Sequence, residues 1–352
     1  MSSSVIRTTV EKIEFAVVRK VLGAMQHVDR VRRARAGEPA GDRSPHPEIR
    51  ALLKLQQLIM PKDALTRSVA SRRARARRDA RVFAGTLAHV RKVSDLTLDT
   101  TPPLRARLYQ PADVAGPAPL IVYFHGGGFV IGDLDTHDAP CRVLCKEARA
   151  QVLAIDYRLA PEQPFPAAVE DAVAAYAWAR QHAAGLGADP ARIAVAGDSA
   201  GANLATVVAQ LTAQQEPPCL QLLFYPTVDR TVDRVSLELF AEGYFLTRAD
   251  VEWYREQYTP NRSDLYDPRV SPLLAQDLRR QSPAIIVTAG FDPLRDEGDA
   301  YAEALRDAGN EVHVFHLTDM VHGFINMGAL SGYAHATLVE VAHALRDRFG
   351  KQ

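Results

Sequence analysis

The chain predicts an α/β fold, with a mostly parallel central sheet and helices on both faces. Three observations carry that expectation. Short, continuously apolar runs such as LIVYF (Leu120 to Phe124) look like strands buried on both sides. Helical segments such as AAVEDAVAAYAWARQHA separate them, and strands that alternate with helices imply parallel crossovers. Several runs end in glycines or reactive side chains, at the carboxyl edge where parallel sheets hold ligands.

Composition agrees with a globular chain. Among 352 residues, 47% are hydrophobic and 24% charged, enough for a sizeable core. Lys+Arg and Asp+Glu both number 42, so net charge gives no reason to expect nucleic acid or an anionic membrane as partner. The three cysteines are too few for a disulfide framework and read as reduced thiols of a cytoplasmic protein. No CxxC pair is present, so no metal is expected.

Taken in order, the first 28 residues hold no long apolar stretch, because Arg7, Glu11, Lys12, Glu14, Arg19 and Lys20 interrupt it. A spanning helix, a stable membrane insertion and a secretory signal are therefore not expected. Val10, Ile13, Val17, Val21, Ala24 and Val28 recur at helical spacing, as on a helix packed on its own domain or on a second copy in a homodimer. An interfacial helix touching lipid is the alternative. Residues 29–47, rich in Arg, Gly and Pro, read as a linker. Ile49, Leu52, Leu53, Ile59 and Met60 share the face of a helix that Pro61 ends.

SRRARARRDAR (Ser71 to Arg81) carries six arginines, Arg72, Arg73, Arg75, Arg77, Arg78 and Arg81. No aromatic residue interleaves with them, so a solvated helix face is expected rather than a phosphate-binding surface. From Val93, SDLTLDT and LRARLYQ alternate apolar and polar around a Thr-Pro-Pro turn, the pattern of a hairpin at a sheet edge. The buried-strand pattern continues in LIVYF, VLAIDY, IAVAG, LQLLFY, AIIVTAG and VHVFHL. Between Pro226 and Pro283 the interval is too long for a simple crossover, so an inserted helical element over the carboxyl edge is expected.

The strand ends carry the chemistry. IAVAG runs into Gly197-Asp198-Ser199-Ala200-Gly201, a G-x-S-x-G that can present Ser199 on a sharp strand-to-helix turn as a nucleophile; Ser199 can also be an ordinary N-cap. LIVYF runs into His125-Gly126-Gly127-Gly128-Phe129, whose unobstructed backbone amides suit a carbonyl oxygen gaining negative charge. AIIVTAG runs into Phe291-Asp292-Pro293, where Asp292 can orient an imidazole or cap a helix, with Asp296 as second choice. VHVFHL leads to His322 beside Gly323, whereas His313 and His316 lie within the strand. Ser199, Asp292 and His322 keep the order nucleophile, acid, histidine.

Together HGGGF (His125 to Phe129), DYRLAPE (Asp156 to Glu162), GDSAG (Gly197 to Gly201), DPLRDEG (Asp292 to Gly298) and HGF (His322 to Phe324) resemble the hormone-sensitive-lipase-like family of bacterial carboxylesterases. The resemblance runs from about Val93 to the C-terminus. It implies an α/β-hydrolase fold with a helical cap, and a serine esterase acting on small esters of short to medium chain without a cofactor. It also implies the triad Ser199, His322 and Asp292, an oxyanion hole from the amides of Gly127, Gly128 and Ala200, and supporting places for His125 and Asp198. Family members usually read GDSAGGN, where this chain has Ala202. Amide, lactam or peptide hydrolysis by the same triad is the alternative activity. A non-catalytic receptor on the same fold is a more distant one, since receptors of that kind lack the histidine.

The expected domains are an extension over residues 1–45 and a cap from 46–80 with 227–275. The catalytic domain is expected over 81–226 with 276–352. Phe129, Phe245 and Trp253 are expected to line the substrate pocket.

Overall fold

A computed structural model describes residues 15–26, 44–59, 68–114 and 116–351. At its centre β1 (Lys92–Leu98), β2 (Leu104–Gln110), β3 (Ala118–Phe124), β4 (Gln151–Asp156), β5 (Ala188–Asp198), β6 (Gln221–Phe224), β7 (Ala284–Phe291) and β8 (Val312–Val321) form one sheet in the order β1-β2-β4-β3-β5-β6-β7-β8. β1 and β2 form the expected antiparallel hairpin, β2 is antiparallel to β4, and the remaining neighbours are parallel. This is the mostly parallel sheet that the strand and helix pattern anticipated, in the α/β-hydrolase arrangement that the family resemblance implied.

Strand periodicity divides the core in two. Leu120 and Val122 of β3, with Ile193 and Val195 of β5, meet α5 (Ala167–His182), α6 (Ala200–Thr212) and α9 (Arg295–Asp307). Ile121 and Tyr123, with Ala194 and Ala196, face α4 (Asp138–Glu147) and α10 (Gly332–Phe349). The second layer also takes in α2 (Pro47–Ile59), through Ile49, Leu52 and Leu53; Met60 and Pro61 lie outside the described residues.

The helix α1 (15–26) packs differently from its expected stripe. Leu22 is buried, with Val18 and Met25 against the core, while Val17 is 54% and Val21 40% exposed. Apolar side chains occupy several sides of this helix, so spacing alone does not select a face. Val10, Ile13, Val28 and most of the expected linker lie outside the described residues.

The arginine-rich helix α3 (Val69–Phe83) meets its expectation only in part, because Arg77, Arg78 and Arg81 are exposed while Arg72 and Arg73 turn toward the protein. Arg73 Nε and Nη2 donate to the carbonyls of Val130 and Ala160, each at 2.8 Å, and its guanidinium grips Glu162 at 2.8 and 2.7 Å. Arg77 pairs with Asp133. Arg72 lies 3.9 Å over the Trp253 ring and bonds Asp250 at 3.1 Å. These last two residues belong to α8 (Arg248–Tyr258), which with α7 (Val235–Leu239) occupies the long interval between β6 and β7. Thr247 and Asp250 form a capping box that starts α8, so the acid answering Arg72 is itself held in place. Among the described residues, no helix is long and apolar enough to cross a membrane.

Candidate active site

Ser199 stands between the end of β5 and the start of α6 with φ 53° and ψ −116°, a conformation that L-residues seldom adopt. Close packing explains its flanking glycines. A Cβ on Gly201 would lie 1.9 Å from the Phe124 carbonyl oxygen, and one on Gly197 would lie 2.4 Å from the Gly201 carbonyl. Ser199 occupies the N-cap position, yet its side chain makes no capping bond. Its Oγ is 3.0 Å from His322 Nε2 instead.

His322 is the first residue after β8 and Asp292 the first after β7, so two adjacent parallel strands deliver imidazole and carboxylate to the same edge. His322 Nδ1 is 2.8 Å from Asp292 Oδ2. The other oxygen, Oδ1, accepts the Leu294 amide at 2.8 Å, which fixes the carboxylate plane. With the proton held on Nδ1, Nε2 is free to accept from the serine hydroxyl. Asp296 stands elsewhere, accepting the Ser236 amide at 2.8 Å and pairing with Arg295. His313 and His316 lie exposed along β8. Tyr225 packs 4.5 Å from the His322 ring. Like the triad members it comes directly after a strand, the signal that could have singled it out.

The glycine loop after β3 is clasped to the serine turn by Asp198. This buried carboxylate accepts the Tyr123 hydroxyl at 2.7 Å and the Gly126 amide at 2.8 Å, and faces His137 at 3.4 Å. Burial pushes its pKa up, but His137 and these hydrogen bonds outweigh burial and hold it below the ordinary value. His125 stacks 4.3 Å on Tyr157, and its Nδ1 is 2.8 Å from the Gly126 carbonyl. Burial, then the neighbouring His137, takes its pKa down to about 4, so it is neutral at physiological pH.

Gly127 and Gly128 adopt φ 118° and 62°, and the turn is closed by the Val130 and Ile131 amides on the Gly127 carbonyl at 3.1 and 3.0 Å. The amides of Gly127, Gly128 and Ala200 donate to no acceptor among the described residues. Gly127, Gly128, Ser199 and His322 border one cavity of about 290 Å³, while Ala200 is buried just behind the serine.

The apolar wall of that cavity comes from Phe83, Ile131, Leu246, Val251, Tyr254 and Leu294. None of the three aromatics expected there takes part. Phe129 is fully buried and stacks 3.8 Å on Tyr258. Phe245 packs into the core layer, and Leu246 beside it reaches the cavity. Trp253 carries the Arg72 guanidinium, and its neighbour Tyr254 lines the site. Adjacent side chains on a helix or loop point in different directions, so an aromatic cluster in sequence does not say which ring faces the ligand. Tyr254 was missed for the same reason, and Phe83 and Arg230 because no local pattern ties their segments to the cavity.

Comparison with known proteins supports the same architecture. A family model described as alpha/beta hydrolase fold matches residues 121–326. The carboxylic ester hydrolase LipN of Mycobacterium tuberculosis is 47% identical over 297 residues, covering 82% of this chain and 78% of its own. An ethyl acetate hydrolase of Pseudomonas putida is 38% identical over 315 residues, covering 86% of this chain and 98% of its own. Among solved structures, the ester-hydrolase EH1AB1 from the metagenome of Lake Arreo superposes with a TM-score of 0.84 at 40% identity, covering 87% of this chain and 99% of that one. With the motifs in order and the sheet assembled around them, the chain belongs to the hormone-sensitive-lipase-like carboxylesterases of the α/β-hydrolase superfamily.

Proposed function

We propose that this carboxylic ester hydrolase cleaves short- to medium-chain esters through an acyl-enzyme on Ser199. The observation that carries the proposal is the continuous chain Asp292–His322–Ser199, with contacts of 2.8 and 3.0 Å, opening into a cavity bordered by Gly127 and Gly128. His322 Nε2 takes the hydroxyl proton as Oγ bonds to the ester carbonyl carbon, and the carbonyl electron pair moves onto oxygen. The amides of Gly127, Gly128 and Ala200 receive that oxyanion, each worth about 3 kcal/mol in comparable sites. Collapse breaks the bond to the alkoxide, which leaves with the proton from Nε2. Water then repeats the sequence with its proton going to Nε2, releasing the acid and restoring Ser199.

A cavity of about 290 Å³ falls at the small end of ligand sites, which supports a compact ester. Contacts between α3 and α8 support the part of a 46–80 and 227–275 cap that contains those two helices, while α2 packs with the core layer. Three free cysteines support a reducing, cytoplasmic setting. The exposed Val17 and Val21 of α1 support contact with a second copy, which size measurement after removal of residues 1–45 tests.

The decisive experiment is Ser199→Ala. Hydrolysis of a short-chain aryl ester should fall roughly 10⁴-fold or more, and covalent labelling by a phosphonate should vanish with the fold intact. Turnover near the wild-type rate would refute the assignment.

A further inference from the structure

One side chain on the wall of the cavity is a cation that the steps of ester hydrolysis leave unused. Arg230 borders the same cavity as Ser199 but is only 7% exposed. Its Nε and Nη1 are buried and have no hydrogen-bond partner among the described residues. Its backbone amide is engaged, donating to Ser271 Oγ at 3.0 Å. The guanidinium lies 5.3 Å over the Phe129 ring, which in turn is stacked on Tyr258, so its plane is held by aromatic packing.

The protein does not fully answer this charge. Glu297 is the carboxyl acting most strongly on it, but Glu297 Oε2 is committed to the Val228 and Asp229 amides at 3.2 and 2.8 Å. Burial also lifts the Glu297 pKa to about 7, so near neutrality it is a partial counter-charge. Asp229 pairs with Arg234 at 2.9 Å, and Arg255, which adds positive potential, pairs with Glu252 at 2.9 Å. The Tyr258 hydroxyl, which interacts with Arg230, is buried without a hydrogen-bond partner among the described residues as well. Burial lowers the Arg230 pKa to about 10, which still leaves it charged at neutral pH. A buried guanidinium with idle donors is costly, and a ligand that supplies an acceptor and a negative charge relieves that cost.

Resting on the ester-hydrolase reading, we propose that Arg230 is a specificity residue that receives a carboxylate carried by the substrate. The preferred class is then a small anionic ester with a carboxylate a few carbons from the scissile carbonyl, such as a half-ester of a short dicarboxylic acid. A monoanion matches the site better than a phosphate dianion, because one guanidinium beside the Glu297 carboxyl provides less than two positive charges. The cavity of about 290 Å³ accommodates a short chain between the two groups.

The test compares 4-nitrophenyl hemiglutarate with 4-nitrophenyl butyrate, and in a second arm the butyrate ester of glycolic acid with ethyl butyrate. These place the carboxylate on the acyl and alcohol sides. In Arg230→Met the ratio of kcat/KM for the anionic over the neutral ester should fall at least tenfold in one of the arms, chiefly through KM. Arg230→Lys should retain part of the ratio. Ratios within twofold of wild type in both arms would overturn the proposal. Calorimetric binding of the monoanion glutaramate and of neutral glutaramide to the wild-type protein needs neither a variant nor turnover. Glutaramate should bind at least tenfold more tightly, and equal affinity would overturn the assignment of Arg230. Loss of the underlying esterase reading would show separately, as absence of butyrate hydrolysis by the wild-type protein.

Discussion

At the level of single residues, Asp292 divides its two oxygens between different tasks. Oδ2 holds His322 Nδ1 while Oδ1 is pinned by the Leu294 amide, so the carboxylate cannot rotate without giving up one bond. Asp292→Asn keeps the shape but can turn an amide group toward Nδ1, which favours the wrong imidazole tautomer. We expect kcat for a short aryl ester to drop about 10⁴-fold with little change in thermal unfolding; a drop under tenfold would remove Asp292 from the orienting role. Asp292 and Asp296 were both open from the sequence, since either acid lies within about one helical turn of the end of β7. What separates them is the direction of the chain: Asp296 is drawn to Ser236, in a segment 60 positions away in sequence. Local spacing contains no information about that partner.

Among the helices and strands, the strands were legible because burial on both faces leaves an apolar run with no alternation. Ser199 and Asp292 each stand directly after such a run, whereas His322 follows the edge strand β8, whose burial alternates. Helices were harder. α3 looked solvated because six arginines crowd its sequence, but Arg72, Arg73 and Arg77 reach acids and carbonyls from α8, the loop after β3 and the segment after β4. Arg73→Ala would leave the Val130 and Ala160 carbonyls without their charged donor. We expect a loss of about 1.5–3 kcal/mol in denaturant unfolding, along with faster proteolysis of α3. A variant as stable and as protease-resistant as wild type would show that the helix is held by other contacts.

Across the folded chain as a unit, two buried groups set opposing responses to pH. Burial lifts Glu297 from 4.5 to about 7, so between those values only the folded chain holds the proton and stability is lost as pH rises. Burial takes His125 from 6.5 to about 4, so in that window only the unfolded chain binds the proton and stability is lost as pH falls. The slopes oppose one another where the windows overlap. Glu297→Gln, which is uncharged throughout, should therefore steepen acid destabilisation below pH 6.5 by up to about 1.4 kcal/mol per pH unit. Urea unfolding of both proteins across that range checks this, and parallel curves would place the Glu297 carboxyl near its ordinary pKa.

The α/β class, the succession of strands and the nucleophile, acid and histidine order were all written along the chain, because strand burial and sharp glycine turns are local properties. Packing placed Asp292, the first choice from the sequence, rather than Asp296 against the imidazole and turned Leu22 rather than Val17 inward. It also brought Phe83, Tyr254 and Arg230 to the cavity while keeping Phe129, Phe245 and Trp253 away from it. Those outcomes depend on which distant segments meet, and a side chain's partner across the fold leaves no periodic trace in the sequence.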